Sequence, residues 1–451
     1  MMPEQHFNLI HPTEPRALLV AANGAWALPS HEADEAPAIR QVMRERYGLD
    51  ATLLGVVGGR YLDAEHDEES AVFALEVHAT PGTLPAGARW VSQAELAGLM
   101  LAAPEQRPLI ETRLREAEGS AEPPPGRVPW ARPGWLATAS AWIGEQLARL
   151  GYRDVGPVEQ VRIRPWSAVL RAATSVGAVY FKAVATTYTH EVPLTAMLGD
   201  TLPQHTPRVL VVDAALGWML LADAGTSLGP ALRDGGDPAS YAAALGAFAR
   251  FQMATVPRVE RLLALGCPDR RLERLPAQFA RAVADRETLA VGRVGVLSEP
   301  DYARLQAMTP EVEQLCAELA SYRLPVATLH HDEITPGHVI PTGAGFIYFD
   351  WGDSAITHPL CSLMMPLRWT RLVLGYDAAA LARLRDAYLA AWTEYEPLER
   401  LRDAYAVAAR LALLCRALTW YDFLPPLERG ARWEFDDSAG YFLGLFLNGE
   451  D

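Results

Sequence analysis

Cysteine is scarce in this chain: four residues in 451, Cys267, Cys316, Cys361 and Cys415, stand far apart with no paired spacing. That excludes a disulfide framework and a zinc ribbon, and leaves buried free thiols as the expectation. Positive charge is short as well. Lys plus Arg is 40 against 55 Asp plus Glu, a net charge of −15, and no dense basic run occurs. Nucleic acid is therefore not an expected partner, because phosphate binding needs clustered cations, whereas an acidic surface attracts cationic small molecules. No apolar stretch reaches the roughly 18 residues that a membrane helix needs, so no membrane partner is expected. The first residues lack the basic and apolar segments of a signal peptide, which makes the cytoplasm the expected location. No repeat of solenoid or propeller period is present.

What is there is globular: 50% of the residues are hydrophobic and 21% are charged. A chain of 451 residues exceeds the size at which one hydrophobic core stops growing, so two domains are the simplest count. The clearest seam is the Gly-Ser-Ala-Glu-Pro-Pro-Pro-Gly run at 119–126, followed by Pro129 and Pro133. Consecutive prolines give up donors and favour extended geometry, which makes a semi-rigid linker. The expected organisation is a first domain over 1–118, a linker over 119–133 and a second domain over 134–451.

Before the seam, 16–20 reads as a strand and 36–47 as a helix closed by Gly48. Strands are expected at 53–57 and 71–77, and a helix over 92–101 with Ser92 as N-cap and Glu95 in the capping-box position. After it, a helix is expected over 135–150, strands at 158–163, 168–172 and 178–184, a helix opening near Glu191, and a strand at 217–222. Beyond Pro238 the pattern is helical, interrupted by a loop-rich stretch at 330–353. A strand-rich lobe followed by a helical one is the layout of a protein-kinase-like fold.

Phosphoryl transfer from ATP asks for a cation on the phosphates, groups that bind a metal, and a carboxylate to orient the attacking hydroxyl. Lys182 sits in the apolar strand Val179-Tyr180-Phe181-Lys182-Ala183-Val184, and Glu191 opens the next helix and could pair with it. Read alone, Lys182 is a strand lysine with its head in water. Downstream, His330-His331-Asp332-Glu333-Ile334-Thr335-Pro336-Gly337-His338-Val339 and Phe349-Asp350-Trp351-Gly352-Asp353 flank a short apolar strand.

The first of these segments resembles the H-G-D-x-x-P-G-N-V catalytic loop of aminoglycoside phosphotransferases and related small-molecule kinases. Phe349-Asp350-Trp351 is similar to their I-D-W strand end, and the similarity spans 135 to the C-terminus. The resemblance implies an α+β fold, with a two-lobed protein-kinase-like domain: a strand-rich N-lobe to about 225 and a helical C-lobe beyond it. It implies ATP or GTP with Mg²⁺, and a hydroxylated small-molecule substrate. Lys182 would contact the α- and β-phosphates with Glu191 holding it, and Asp350 would ligate Mg²⁺. The turn Pro165-Trp166-Ser167 would cover the phosphates, and the backbone of Leu221, Ala222 and Asp223 would meet adenine. Substrate choice would lie with the helical lobe, where Trp433, Glu434, Asp436 and Asp437 stand out.

Aligned without gaps on His331, the loop puts Asp332 at the glycine, Glu333 at the base aspartate and His338 at the metal-binding asparagine. A one-residue insertion would instead put His330 first and Asp332 at the base. The ungapped register keeps Pro336, Gly337 and Val339 in place, which favours Glu333, with Asp332 in reserve. Imidazole prefers softer metals than Mg²⁺. A different reading of His330, His331, Asp332, Glu333, His338 and His358 is a transition-metal site.

The segment 16–49 has the shape of a Nudix hydrolase segment, with Trp26-Ala27-Leu28-Pro29 before the helix, and Trp90-Val91-Ser92 through Leu96 is similar to the W-V-x-x-x-E-L ending of that family. The R-E-U-x-E-E-x-G helix of the family presents several glutamates to Mg²⁺. Here only Glu45 of three carboxylates remains, with Val42 and Arg46 in their place. The resemblance implies a preceding α/β Nudix-like domain that is not hydrolytic and serves docking or ligand sensing. The expected function is ATP- or GTP-dependent phosphorylation of a small-molecule hydroxyl. The alternative is a nucleotide-binding pseudokinase, and diphosphate hydrolysis comes last.

Overall fold

The computed structural model describes residues 4–60, 70–80 and 82–449. Chain contacts divide them into two compact units, one of 1–185 with 424–436 and one of 186–423 with 437–451.

The first unit opens with strands β1 (Gln5–Ile10), β2 (Arg16–Ala22), β3 (Ala25–Ala27) and β4 (Ser30–His31), then helix α1 (Ala36–Tyr47). Strands β5 (Asp50–Arg60), β6 (Ser70–Ala79) and β7 (Ala88–Ser92), and helices α2 (Gln93–Ala97) and α3 (Arg107–Ala117), follow. The sheet runs β3-β2-β1-β6-β5, with β4 on β1 and β7 on β2. The β1–β6 pair is parallel, with His6 opposite Val72. Ala17, Leu19, Val72, Val91, Leu96, Ile110 and Leu114 form the apolar cluster between sheet and helices.

Helix α1 has the bounds its sequence implies. Gly48 takes φ 65°, and this left-handed turn sends the Leu49 N–H back to the Met43 carbonyl at 3.2 Å, so the helix cannot continue. Ser92 and Glu95 form the expected capping box, but α2 stops at Ala97 rather than reaching 101, because the Gly98 N–H already closes on Glu95. No expectation covered β1. It lies in the middle of the sheet and buries Asn8, whose side chain donates to the Leu109 carbonyl at 3.3 Å, so polar and apolar residues do not alternate along it.

Helix α4 (Trp135–Arg149) and the antiparallel strands β8 (Val158–Ile163), β9 (Ser167–Thr174) and β10 (Gly177–Val184) complete the unit. Gln160 on β8 binds the backbone of Leu53 on β5 through both amide atoms, at 2.9 and 2.7 Å. These two hydrogen bonds satisfy backbone groups of Leu53 that the edge strand β5 would otherwise leave unpaired. Arg127, in the linker, donates to Glu428 at 2.7 and 2.8 Å and to Glu116 at 2.6 Å. These charge-assisted bonds fasten the returning segment 424–436 to α3.

Trp433, Glu434 and Asp436 therefore belong to this unit rather than to the helical lobe where the sequence put them. The reason is close packing. A Cβ on Gly59 would fall 2.2 Å from the Trp433 ring, and one on Gly430 would fall 2.3 Å from the Val57 carbonyl. Only glycine lets the segment lie flat on β5.

In the second unit, α5 (Glu191–Thr201) precedes the antiparallel hairpin β11 (Val209–Asp213) and β12 (Trp218–Ala222). Helices α6 (Leu228–Arg233) and α7 (Ala239–Thr255) follow, then several more helices, among them the long one at Leu398–Phe423. Two short antiparallel strand pairs stand among them: β13 (Thr328–His330) with β16 (Ala355–Thr357), and between these the hairpin β14 (Val339–Thr342) with β15 (Gly345–Tyr348). No helix among the described residues is long and apolar enough to cross a membrane. All four cysteines are buried and free.

Candidate active site

The loop after β13 and the loop after β15 meet in the second unit because helix α7 holds both strands that lead into them. Gln252, fully buried on α7, donates to the Leu329 carbonyl at 3.1 Å, and Thr255 Oγ1 accepts from the Leu329 N–H at 3.1 Å. The Tyr241 hydroxyl donates to the Ile334 carbonyl at 2.6 Å, and the Tyr348 hydroxyl to the Ala244 carbonyl at 2.8 Å. Gly229 at the start of α6 lets the turn approach, since a Cβ there would lie 3.2 Å from the Gly337 Cα.

His331 ties the two loops to each other. Its Nε2 donates to the Phe349 carbonyl at 3.0 Å, and its Nδ1 accepts from the Glu333 N–H at 3.2 Å. Both partners require the neutral ring. Burial agrees, and with repulsion from His338 it pushes the imidazole down to about 3.

His338 and Asp350 come together at the mouth of the loops, with Nε2 3.4 Å from Oδ2. The His338 Nδ1 lies 2.7 Å from the Glu333 carbonyl, to which it donates. Asp350 takes φ 68°, a left-handed conformation that Asp tolerates better than most side chains, and its side chain is 38% exposed. Glu333, whose carbonyl accepts the His338 bond, is half-buried.

Asp332 has a different setting. It is 2% exposed, accepts from Thr419 Oγ1 at 3.2 Å, and lies 3.4 Å from Arg416 and 3.3 Å from His330. Burial works against its charge, but Arg416, His330 and Thr419 outweigh it and hold the carboxyl below its usual range. Arg416 also donates to Asp353 at 2.8 Å. Asp353 is nonetheless raised to about 6, by burial and by the neighbouring carboxylates Glu333 and Asp332.

Glu191 is the first residue of α5 and is buried; a Cβ on Gly352 would fall 3.1 Å from its Oε2. The Asp350-Trp351-Gly352 turn thus passes directly over this carboxylate. Leu221 and Ala222 are half-buried at the end of β12, and Asp223 follows in an exposed turn, accepting from the Gly225 N–H at 2.9 Å.

Two of the sequence candidates lie in the first unit. Lys182 is 9% exposed on β10, opposite Val169, and Ser167 is a buried residue that begins β9 opposite Val184. In the second unit His338 meets Asp350 and the Glu333 backbone carbonyl, and Glu191 lies beneath the turn.

The cluster of six candidate ligands at His330, His331, Asp332, Glu333, His338 and His358 does not form among the described residues. Among the described residues no group of three or more His, Cys, Asp or Glu is placed to hold a metal. His330 is bound to Ser362 at 2.8 Å, and His358 caps Leu360 in the interior. Sequence reading also missed Arg416 and Thr419. A signal existed: an arginine inside the apolar run Leu411-Ala412-Leu413-Leu414-Cys415-Arg416-Ala417-Leu418 has to be paired when that run is buried.

No protein-family model and no curated protein matches the chain. Solved structures do show likeness. An ethanolamine kinase of Plasmodium vivax is 10% identical over 65% of this chain and 84% of its own, with a TM-score of 0.47. The choline kinase LicA of Streptococcus pneumoniae is 14% identical over 69% and 99%, with a TM-score of 0.44. A macrolide 2′-phosphotransferase of Brachybacterium faecium is 18% identical over 64% and 99%, with a TM-score of 0.41.

Proposed function

We propose that this chain is a phosphotransferase that moves the γ-phosphoryl group of ATP or GTP to a hydroxyl of a small molecule. One observation supports the reading: His338, in the loop after β13, donates to the Glu333 backbone carbonyl and brings its Nε2 to 3.4 Å from Asp350 Oδ2 in the loop after β15, with Glu333 half-buried in the same loop as His338. Transfer needs positioning and charge neutralisation more than covalent chemistry, and these are the groups that provide them. A metal bound with nucleotide would neutralise charge developing on the phosphates, and Asp350 and His338 are the residues that would hold it.

Glu333 takes the base position. It accepts the proton of the acceptor hydroxyl as the hydroxyl oxygen bonds to phosphorus and the bond to the leaving diphosphate oxygen breaks. Asp332 suits that role less, being enclosed by Arg416, Thr419 and His330. Glutamate is one methylene longer than aspartate, and a misplacement of ~1 Å costs on the order of a hundredfold in rate, so turnover is modest. By the family resemblance, Lys182 would contact the phosphates, the turn at Pro165, Trp166 and Ser167 would cover them, and Leu221, Ala222 and Asp223 would meet the base. The net charge of −15 favours a cationic acceptor. A pseudokinase that binds nucleotide without transfer is the second reading, favoured by the histidine at position 338.

The domain over 1–118 is read as Nudix-like and not hydrolytic. Helix α1 carries Gln41 hydrogen-bonded to Glu45 at 2.8 Å, and Arg40 and Arg44 reach Asp50 at 3.1 and 3.6 Å. One carboxylate among these cations is a weak metal site.

A thermal-shift screen of the full chain with ATP or GTP and a divalent cation, then a panel of hydroxylated acceptors, tests the proposal. Nucleotide should raise the melting temperature, less so in Lys182→Ala, and the cation requirement should fade in Asp350→Asn. Wild-type binding of nucleotide and metal in both variants would defeat it.

A further inference from the structure

His338 is an unusual donor to find beside a carboxylate that would serve Mg²⁺, and its hydrogen bonds decide which of its nitrogens is available. The Glu333 carbonyl, 2.7 Å from Nδ1, has only lone pairs, so Nδ1 must carry the proton. In the neutral ring Nε2 is then bare, and it points at Asp350 Oδ2 from 3.4 Å. Nε2 and Oδ2 thus present two lone-pair donors to the same point at this separation. The ring cannot readily swing aside. It is 14% exposed, lies near-parallel to the His331 ring with centroids 6.2 Å apart, and meets the Phe349 ring edge-on at 5.6 Å.

The spacing suits one ion. Two donors each about 2.1 Å from a cation and 90–110° apart lie about 3.0–3.4 Å from each other. The chemistry of the pair then selects among ions. Mg²⁺ demands oxygen ligands and dehydrates reluctantly, whereas Mn²⁺ accepts carboxylate, phosphate and water and also tolerates imidazole nitrogen. Zn²⁺ favours imidazole more strongly but prefers a tetrahedral set of nitrogen and sulfur donors, and no third such donor is placed here among the described residues.

Resting on the phosphotransferase reading, we propose that His338 Nε2 and Asp350 Oδ2 form a two-donor site that takes Mn²⁺ in preference to Mg²⁺ as the ion accompanying the nucleotide. His338 replaces an amide oxygen donor with a nitrogen donor, which shifts the preferred ion and leaves the site able to hold one.

The test is Mn²⁺ binding to the full chain, followed by the loss of the free-ion electron paramagnetic resonance signal, with and without a non-hydrolysable ATP analogue. Competition by Mg²⁺ is measured in the wild type, His338→Asn and Asp350→Asn. Wild-type protein should hold Mn²⁺ at least tenfold more tightly than Mg²⁺, beyond any preference of the analogue alone. His338→Asn should lose most of that ratio while still binding Mg²⁺, and Asp350→Asn should weaken both ions. Equal displacement by Mg²⁺, an unchanged ratio in His338→Asn, or no ion bound because a proton closes the pair, would overturn the proposal. So would displacement of Mn²⁺ by a stoichiometric amount of Zn²⁺. Nucleotide binding is followed in parallel with a fluorescent analogue. Its absence while the His338-dependent Mn²⁺ preference persists would overturn the phosphotransferase reading and leave the ion site standing.

Discussion

Arg416 donates to Asp353 at 2.8 Å while also lying 3.4 Å from Asp332, so one buried guanidinium, on the long helix Leu398–Phe423, serves two carboxylates of the loops around the site. Removing it strands a buried charge. Arg416→Met should cost about 3–5 kcal/mol, because Asp332 has no solvent to turn to. Urea unfolding measures the loss, and the double variant Asp332→Asn with Arg416→Met should recover part of it. A single variant as stable as the wild type would mean that the pair is not coupled as the distances imply.

Glu333 and Asp332 are adjacent, yet their variants should separate. Glu333→Gln should abolish phosphoryl transfer and leave nucleotide binding and unfolding midpoint near wild type. Asp332→Asn should lower stability and change transfer much less. Single-turnover assays with the best acceptor make the comparison. Loss of transfer in Asp332→Asn alone would move the base to Asp332.

Acid should destabilise the second unit through two buried histidines. Burial pushes both His331 and His358 down to about 3, against an ordinary value of 6.5. Between those values the unfolded chain binds more protons than the folded one, so stability rises with pH there and is lost as pH falls from 6.5 toward 3. Each histidine contributes a slope of about 1.4 kcal/mol per pH unit inside the window. His358→Asn, which keeps a capping side chain before Leu360, should remove about half of the combined slope in urea titrations from pH 6.5 to 4. An unchanged slope would show that His358 is not held neutral.

The returning segment 424–436 should come loose when its glycine is filled. In Gly430→Ala the new methyl meets the Val57 carbonyl, an overpacking cost of roughly 1–3 kcal/mol. Limited proteolysis should then cut within 424–436, while Gly144→Ala, with open space around it, should leave the pattern unchanged. Equal resistance in both variants would mean that the segment is held by Arg127 and Glu428 alone.

Local chemistry was legible wherever a residue acts on its own neighbours. Gly48 stops α1 because its left-handed turn sends the Leu49 N–H back to the Met43 carbonyl, and Ser92 with Glu95 starts α2 because the two side chains reach backbone three residues away. Strands β8, β9 and β10 read correctly because their apolar residues carry strand spacing, and the order of Lys182, Glu191, Glu333 and Asp350 was visible only through the resemblance of the flanking motifs to a kinase family.

Contacts distant in sequence decided the rest. Nothing near Asp332 says that Arg416, 84 residues on, will take its charge, and nothing near Trp433 says that Gly59 will leave room for its ring. The adjacent carboxylates Asp332 and Glu333 are chemically alike, and only packing made one of them an interior ion partner and left the other half-buried. The sequence by itself determined which groups were present and how each turn would close. The tertiary structure decided which of them share a site, because burial and pairing depend on partners that no local pattern contains.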